Sequence, residues 1–177
     1  MHDQIVNGSK TKLTDACHIL THASPICHQQ LAAIAASQAR HEAGYDFPSF
    51  CASSDLDNDR TLVAIYVKGA RVCGLMVTRE HECRYTARVR SFEDDGHGYW
   101  RPTETIEVEP RTRRTVDMVW VLKAKRRQGI AREMVLSLAR HRQMEVGDFA
   151  HMTPFRADAL SLWKALGMDV IFVAKRS

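Results

Sequence analysis

The sequence predicts an α/β fold in which helices flank a mixed β-sheet. Apolar runs of strand length alternate along the chain with segments whose apolar residues recur at helical spacing. One of these runs, Val116–Leu122, leads through a basic turn directly into a helix that starts near Ile130. We therefore expect a central strand whose end lies close to the N-terminus of a helix.

The composition indicates one ordinary globular domain. The chain has 177 residues, of which 45% are hydrophobic and 26% are charged, and this is enough to bury a sizeable core. The net charge of +4 suits an anionic ligand but is too small to predict nucleic acid binding. No apolar run approaches a membrane span, and five scattered cysteines without a Cys-x-x-Cys pair favour reduced thiols. We expect an intracellular protein, cytoplasmic or nuclear, with no membrane partner.

Residues 1–23 are polar and are expected to form a tail before a single domain that spans residues 24–177. Five side chains in and near this tail invite a zinc interpretation: Cys17, His18, His22, Cys27 and His28. Their spacing matches no standard zinc finger, so we predict loop and helix residues here and no metal site.

The first helix is expected to begin at Ser24-Pro25, where a capping hydroxyl precedes a proline, and to end at Gly44. The aromatic segment 44–50 then either lines an acceptor pocket or packs in the core. A β-hairpin follows, with strands over Thr61–Val67 and Arg71–Thr78.

Two further strands are predicted over Cys83–Phe92 and Tyr99–Val108, separated by the charged glycine turn Glu93–Gly98. Glu109–Arg114 is expected to be a charged connector that leads into the central strand.

The C-terminal part of the chain predicts a strand, a helix and a closing strand. Asp148–Thr153 is a short apolar stretch of strand type, and Pro154 starts or precedes the last helix. This helix is expected to end at Gly167, and Val170–Ala174 forms the closing strand.

The turn after the central strand has the composition of a phosphate site. Lys123–Gln128 carries four positive charges, and Gly129 allows a ligand to approach the backbone at the helix start. The first N–H groups of a helix have no internal partner, and the helix dipole adds partial positive charge there. Arg126 and Arg127 would add charge-assisted contacts to a pyrophosphate. A nuclear-import or nucleic-acid patch is the alternative, but the phosphate role explains the position beside the helix start better.

Residues 126–131, RRQGIA, resemble the acyl-coenzyme A (acyl-CoA) loop of the GCN5-related N-acetyltransferases, the GNAT superfamily. Residues 159–168, ALSLWKALGM, resemble the C-terminal helix of the same superfamily. The resemblance implies the GNAT fold, with a mixed, mostly antiparallel central sheet flanked by helices, and acetyl-CoA as co-substrate. It also implies a set of coenzyme-binding residues: Val119, Trp120, Val121, Arg126, Arg127, Gln128, Gly129, Ile130, Ala131, Arg132 and Trp163.

Within the superfamily, three segments are similar to the sister-chromatid-cohesion acetyltransferases, which acetylate lysines on a cohesin subunit. These segments are residues 61–77, residues 119–121 together with 126–131, and residues 149–154. The zinc finger of that subfamily is not found in this sequence. Asp117 stands where those enzymes carry a serine, and His151 stands where they carry an acidic residue. The resemblance therefore implies a lysine-directed architecture and leaves the cohesin substrate open.

Acetylation of an amine requires removal of a proton from the amine, polarisation of the thioester carbonyl and departure of the thiolate. Asp117 is the first candidate base, because a carboxylate on an apolar strand is costly unless it is paired or functional. A pairing with nearby arginines is the alternative. His151 is the second candidate, acting through a water, and a structural role is equally open. Trp163 occupies the position of a tyrosine acid in many relatives, but an indole cannot donate a proton usefully.

These residues and the resemblance predict an acetyl-CoA-dependent N-acetyltransferase that acts by direct transfer in a ternary complex. The favoured acceptor is a lysine side chain of a protein or peptide. A small amine, such as a polyamine, an amino sugar or a toxic metabolite, is the alternative acceptor. A catalytically silent acyl-CoA-binding module is a further alternative suggested by Trp163, and nucleic acid is the most remote partner.

Overall fold

The computed structural model describes residues 13–43, 56, 60–80, 85–109, 113–152, 155–168 and 170–175. Within these residues the strands are β1 (Ala16–Leu20), β2 (Thr61–Lys68), β3 (Arg71–Glu80), β4 (Tyr85–Asp94), β5 (Tyr99–Glu109), β6 (Arg114–Val121), β7 (Ala150–His151), β8 (Phe155–Arg156) and β9 (Ile171–Lys175). The α-helices there are α1 (Ile26–Ala43), α2 (Ile130–Arg142) and α3 (Ala157–Ala165), and short 3-10 helices cover Lys123–Lys125 and Val146–Asp148.

The strands form one mixed sheet in the order β1-β2-β3-β6-β7-β9-β4-β5-β8. The pairs β1–β2, β4–β5, β4–β9 and β5–β8 are antiparallel, whereas β6–β7 and β7–β9 are parallel. The predicted fold class, a mixed and mostly antiparallel sheet flanked by helices, is confirmed. Among the helices of the described residues, none is long and apolar enough to cross a membrane.

The chain forms two compact units. The first consists of Met1–Val77 and Met118–Arg142, and the second consists of Thr78–Asp117 and Gln143–Ser177. Each unit has its own packing, which is described separately below.

The core of the first unit combines strands β1 to β3 with one face of α1. The register of the first pair places Ala16 opposite Val67 and Leu20 opposite Val63. The buried residues that α1 contributes are all small: Ala32, Ala35, Ala36 and Ala39. Small side chains let the helix backbone lie close to the large residues of the cluster, among them Trp120, which is 5% exposed.

Helix α2 buries a single stripe of residues in the first unit. The stripe is the one that the helical spacing predicts: Ile130, Met134, Val135, Leu138 and Ala139. Gly74 on β3 lies against the start of this stripe. A Cβ atom at Gly74 would be 2.8 Å from Cγ2 of Ile130 and 3.1 Å from Cε of Met134. Glycine is therefore needed at this position to admit the two side chains.

The second unit contains a long hairpin made of β4 and β5. Its pairs run from Thr86–Glu109 to Asp94–Trp100, and the register shifts near Val89. The carboxylate of Asp95 closes the turn by accepting hydrogen bonds from the amides of His97 at 3.0 Å and Tyr99 at 3.3 Å. The His97 amide is the main reason why the pKa of Asp95 is lowered. The turn is thus fixed by its own side chain, as is usual for aspartate in turns.

Two predictions about the strands need correction. Residues 1–23 were expected to be a tail, but Ala16–Leu20 form β1, which pairs with β2 along its whole length. The polar composition of this segment concealed the strand, because an edge strand leaves four of its five residues only half-buried. Strand β8, at Phe155–Arg156, was not predicted, since two residues are too few to give a periodic pattern.

The charged connector predicted over Glu109–Arg114 is also wrong in part, because β5 reaches Glu109 and β6 begins at Arg114. Arg113 and Arg114 are buried, being 8% and 4% exposed. The guanidinium of Arg113 lies 3.5 Å from the ring centroid of Phe172, and Arg114 forms an ion pair with Glu80 at 2.7 Å. Partners from distant parts of the sequence compensate both buried charges.

Several predicted features fall outside the described residues. They are the N-terminal stretch 1–12, the helix end at Gly44, the aromatic segment 44–50 and the start of the last helix at Pro154. These features remain predictions.

We expect Gly74→Ala to lower the free energy of unfolding by about 1–3 kcal/mol, the usual cost of adding an atom to a filled core. The β-branched side chain of Ile130 has one strongly preferred rotamer in a helix and cannot move aside easily. Urea denaturation of both proteins measures the change. Gly147→Ala is the matched control, because a Cβ there meets nothing within 4 Å. Equal stability of the two variants would contradict the tight contact at Gly74.

Candidate functional site

The basic turn between β6 and α2 is anchored at both ends to two consecutive residues of β3. At the strand end, the N–H of Leu122 donates a hydrogen bond to the carbonyl of Cys73 at 2.9 Å. At the helix end, Ile130 is 3% exposed and packs over Gly74. Residues 123–129 therefore form a loop whose two ends lie beside neighbouring residues of β3.

Gly129 keeps the start of α2 open. Its φ angle is +79°, and a Cβ built there would meet no protein atom within 4 Å. Its carbonyl accepts the N–H of Glu133 at 2.9 Å, which is the first hydrogen bond of the helix. The amides of Ile130, Ala131 and Arg132 precede that bond and have no helical carbonyl to donate to. These amides are the donors that an anion would use.

Arg127 also adopts a left-handed backbone conformation, with φ of +64°. For a residue other than glycine this costs about 1–2 kcal/mol. Strain of this kind persists only where the surrounding structure imposes it, and it is concentrated at functional sites. Arg127 lies between the two anchors on β3, next to the proposed anion site at the start of α2.

The exposed side chains of the turn are predominantly basic. The exposed side chains of the turn are Lys123, Ala124, Arg126, Arg127 and Gln128, and those of the following first turn of α2 are Arg132 and Glu133. Nε of Arg126 donates to the carbonyl of Val121 at 3.1 Å, which holds this guanidinium against the end of β6. Together with the dipole of α2, these charges make the helix start strongly attractive to an anion.

The side chains of β6 alternate between two environments, as expected for a strand. Trp120 is buried in the core of the first unit, and its Nε1 donates to Oε2 of Glu42 at 2.9 Å. Val119 and Val121 are half-buried and point the other way. The sequence-based prediction assigns coenzyme contacts to the backbone of these three residues, and the side chain of Trp120 has a structural role in addition.

Asp117 lies on β6 with the same parity as Val119 and forms an ion pair within the second unit. Nη1 of Arg79 is 2.6 Å from Oδ2 of Asp117, and the two side chains are 24% and 11% exposed. The arginine pairing that the sequence left as an alternative is thus present. Partial exposure leaves the carboxylate in reach of an approaching molecule.

His151 is buried deep in the second unit. It pairs with Val116 across the parallel β6–β7 ladder and is 1% exposed. Desolvation by burial lowers the pKa of His151 to about 3. The imidazole is therefore neutral at physiological pH, and it is a much weaker base than a histidine in water.

Trp163 forms a pair with His151. The two ring centroids are 4.0 Å apart with an interplanar angle of 45°, and Trp163 is itself 1% exposed. The indole reaches this position because α3 buries Leu160 and Trp163 on one face. The structure therefore joins two of the predicted site residues into one packed aromatic contact.

Sequence reasoning missed three residues on which the site depends: Arg79, Glu42 and Gly74. Arg79 is 38 positions from Asp117, and Glu42 is 78 positions from Trp120. No local pattern links such pairs. The charge of Arg79 at the end of the apolar run of β3 is a sequence signal that could have indicated a buried partner. In the part of the chain that the structure describes, no group of three or more His, Cys, Asp or Glu side chains is placed to hold a metal ion.

No protein-family model and no curated protein matches the sequence. Solved structures do match the fold. The xEco2 acetyltransferase domain bound to a CoA conjugate aligns with a TM-score of 0.67 and 19% identity, covering 94% of this chain and 97% of that chain. This chain has the fold of an acetyltransferase.

Two further structures with this acetyltransferase fold are aminoglycoside acetyltransferases from uncultured soil metagenomic samples. The first has a TM-score of 0.50 at 17% identity, over 86% of this chain and 90% of that chain. The second, in complex with trehalose, has a TM-score of 0.51 at 11% identity, over 84% of each chain. At these identities the likeness concerns the fold, so the chemistry must be argued from the site itself.

We expect the free energy of unfolding to fall as the pH is lowered from about 6.5 towards 3, with His151 contributing up to about 1.4 kcal/mol per pH unit. The sign follows because the unfolded chain binds a proton on this imidazole in that range and the folded chain does not. His151→Phe should remove this part of the slope. Urea denaturation at several pH values measures it.

His97→Phe is the control, because His97 is an exposed histidine in the β4–β5 turn. If His151→Phe and the parent protein show the same pH slope, the imidazole is not held neutral by burial.

Proposed function

We propose that this chain is an acetyl-CoA-dependent N-acetyltransferase that transfers the acetyl group to a primary amine by direct transfer in a ternary complex. The observation that supports this most is the start of α2, where Gly129 leaves open space in front of amides and exposed arginines. A pyrophosphate suits this position, because backbone N–H groups and the helix dipole both favour negative charge. The acetyltransferase fold of the chain supplies the context for this interpretation.

The proposed coenzyme site uses the first unit. The amides of Gly129, Ile130, Ala131 and Arg132 and the side chains of Arg126, Arg127 and Gln128 hold the diphosphate. The backbone groups of Val119, Trp120 and Val121 hold the pantetheine arm. A backbone N–H beside the thioester polarises its carbonyl, which is the role of an oxyanion hole in acyl transfer.

In the proposed reaction the acceptor ammonium first loses a proton to solvent, which frees the lone pair of its nitrogen, and this neutral nitrogen attacks the thioester carbon. The C–N bond forms first, and the C–S bond then breaks to release the CoA thiolate. The attacking nitrogen becomes positively charged as it bonds, so its N–H is far more acidic than that of the free ammonium ion. A carboxylate suffices to remove this proton, directly or through one water.

Asp117 is the better candidate for this base. Its carboxylate is 11% exposed and is held by Arg79, which fixes its direction. His151 is less suitable, since burial lowers its pKa to about 3 and packs its ring against Trp163. We assign His151 and Trp163 to the support of β7 and α3. The thiolate then takes its proton from water, because an indole does not ionise usefully.

The favoured acceptor is a lysine side chain of a protein or peptide. The xEco2 acetyltransferase domain, which shares the fold with a TM-score of 0.67 and was solved with a K105-CoA conjugate, supports this choice. A small amine is the second candidate, and the aminoglycoside acetyltransferases that share the fold favour it.

We expect Gly129→Val to abolish coenzyme binding, because a branched side chain would occupy the space proposed for the diphosphate. Isothermal titration of the purified protein with acetyl-CoA measures the affinity. Gly96→Val is the matched control, since Gly96 also has a positive φ, of +82°, and open space at its Cβ. Both variants carry the same kind of backbone strain, so unchanged affinity in Gly129→Val would refute the proposed loop.

We expect the chain to acetylate at least one amine in a screen with labelled acetyl-CoA, peptides and small amines, and Asp117→Asn to lower kcat by about 10²-fold or more. Coenzyme affinity should change little, because Asp117 is not among the proposed CoA-binding residues. Asp95→Asn is the matched control, as Asp95 also pairs with an arginine, Arg101, at 3.1 Å. His151→Gln should retain substantial activity. An Asp117→Asn variant with the parent rate would exclude this residue as the base.

A further inference from the structure

Strand β5 has an open edge in the second unit. Among the described residues, β5 pairs with β4 along its length, whereas it pairs with β8 only at Tyr99 and Trp100. We call Arg101–Val108 the β5 edge. Apart from the half-buried Pro102, every residue of the β5 edge is exposed. Its outer backbone groups are therefore available to another strand.

The β5 edge also carries exposed apolar side chains. Ile106 is 44% exposed and Val108 is 47% exposed. Both are β-branched. Val108 lies opposite Ala87 of β4, whereas Ile106 falls at a register shift between the pairs Val89–Thr105 and Arg88–Glu107. Exposed β-branched residues on a strand with free backbone groups are typical of surfaces that accept an added strand.

The charge of the hairpin is opposite to that of the whole chain. The chain has a net charge of +4, while Tyr85–Glu109 contains six acidic and three basic residues and so carries −3. On the β5 edge itself, Glu104 and Glu107 are exposed. Such a surface attracts a basic polypeptide.

Pairing between two copies of this chain is disfavoured when it is centred on the middle of the β5 edge. Antiparallel self-pairing centred between Thr105 and Ile106 would place Glu104 of each copy opposite Glu107 of the other. Like charges directly opposite each other in a sheet are destabilising. A lysine at the same positions of an added strand would instead form favourable cross-strand pairs.

We propose that the β5 edge binds an extended, lysine-rich segment of the acceptor protein as an additional strand. Main-chain hydrogen bonds give the affinity, Ile106 and Val108 contact apolar side chains of the added strand, and Glu104 and Glu107 select for basic residues. The choice of a lysine-containing protein as the occupant rests on the proposed function. The docking itself is measurable without acetyl transfer.

The test uses the full chain and a fluorescein-labelled peptide with the repeat lysine-valine-valine, which can place lysine opposite both Glu104 and Glu107 and valine opposite Ile106 and Val108. Hydrogen exchange with and without saturating peptide should show new protection of amides within the β5 edge. Fluorescence anisotropy gives Kd. Glu104→Gln/Glu107→Gln should raise Kd by about three- to tenfold at low salt, in line with the strength of exposed charge pairs. Glutamine keeps the shape and, at Glu104, an oxygen that can accept the hydroxyl of Ser91.

Two further variants and one altered peptide separate docking at the β5 edge from general effects on binding. Glu93→Gln removes an exposed charge from β4 in the same hairpin and should change Kd by less than about twofold. Ile106→Thr/Val108→Thr keeps the β-branched shape and should raise Kd through loss of apolar contact. A peptide with proline in place of valine cannot pair along the edge and should not bind.

Absence of new protection in the β5 edge at saturating peptide would overturn the proposal, and so would equal Kd values in the parent and the double glutamine variant. Protection of the β5 edge by self-association without peptide would overturn it as well. A chain that binds the peptide at β5 but acetylates no amine would overturn the proposed function and leave the docking site intact. Acetylation of the peptide without protection of the β5 edge would overturn the docking site and leave the proposed function intact.

Discussion

The geometry of the candidate coenzyme site depends on one close contact, that of Ile130 with Gly74. It fixes the first residue of α2 against β3, while the neighbouring Cys73 accepts the amide of Leu122 at 2.9 Å. Between these anchors, Arg127 and Gly129 take left-handed conformations. The buried side chain of Ile130 and the open space where Gly129 lacks a Cβ thus have complementary effects. The first sets where the helix begins, and the second keeps that beginning accessible.

The two candidate bases show how environment separates residues that a sequence presents as equals. Asp117 has an arginine at 2.6 Å and its side chain is 11% exposed, so the carboxylate is held in one direction and is reachable. His151 lies on the neighbouring strand with 1% exposure and an indole ring at 4.0 Å, and burial lowers its pKa to about 3. Burial of this degree is set by the fold. This contrast is why the mechanism is assigned to the carboxylate.

The sequence predicted the strand, basic turn and helix around Gly129 well, because that information is contiguous. Strand period, a breaker residue and helical spacing all fall within residues 114–142. It failed at β1, whose residues are polar and half-buried, and at the buried pair Arg113 and Arg114, which read as solvent-exposed charges. The partners that stabilise those arginines, Glu80 and Phe172, are contributed by other strands. Tertiary pairing of this kind leaves no local signal, and the same holds for the burial of His151.

The β4–β5 hairpin presents a problem that every exposed strand edge raises. Free backbone groups beside Ile106 and Val108 would invite pairing between copies of the chain if nothing opposed it. Proline at position 102 and the glutamates at 104 and 107 are the usual means of preventing such pairing. A negative charge, however, repels only strands that are themselves acidic. The glutamates that protect this edge from self-association therefore leave it open to basic segments, and protection and selectivity follow from the same two side chains.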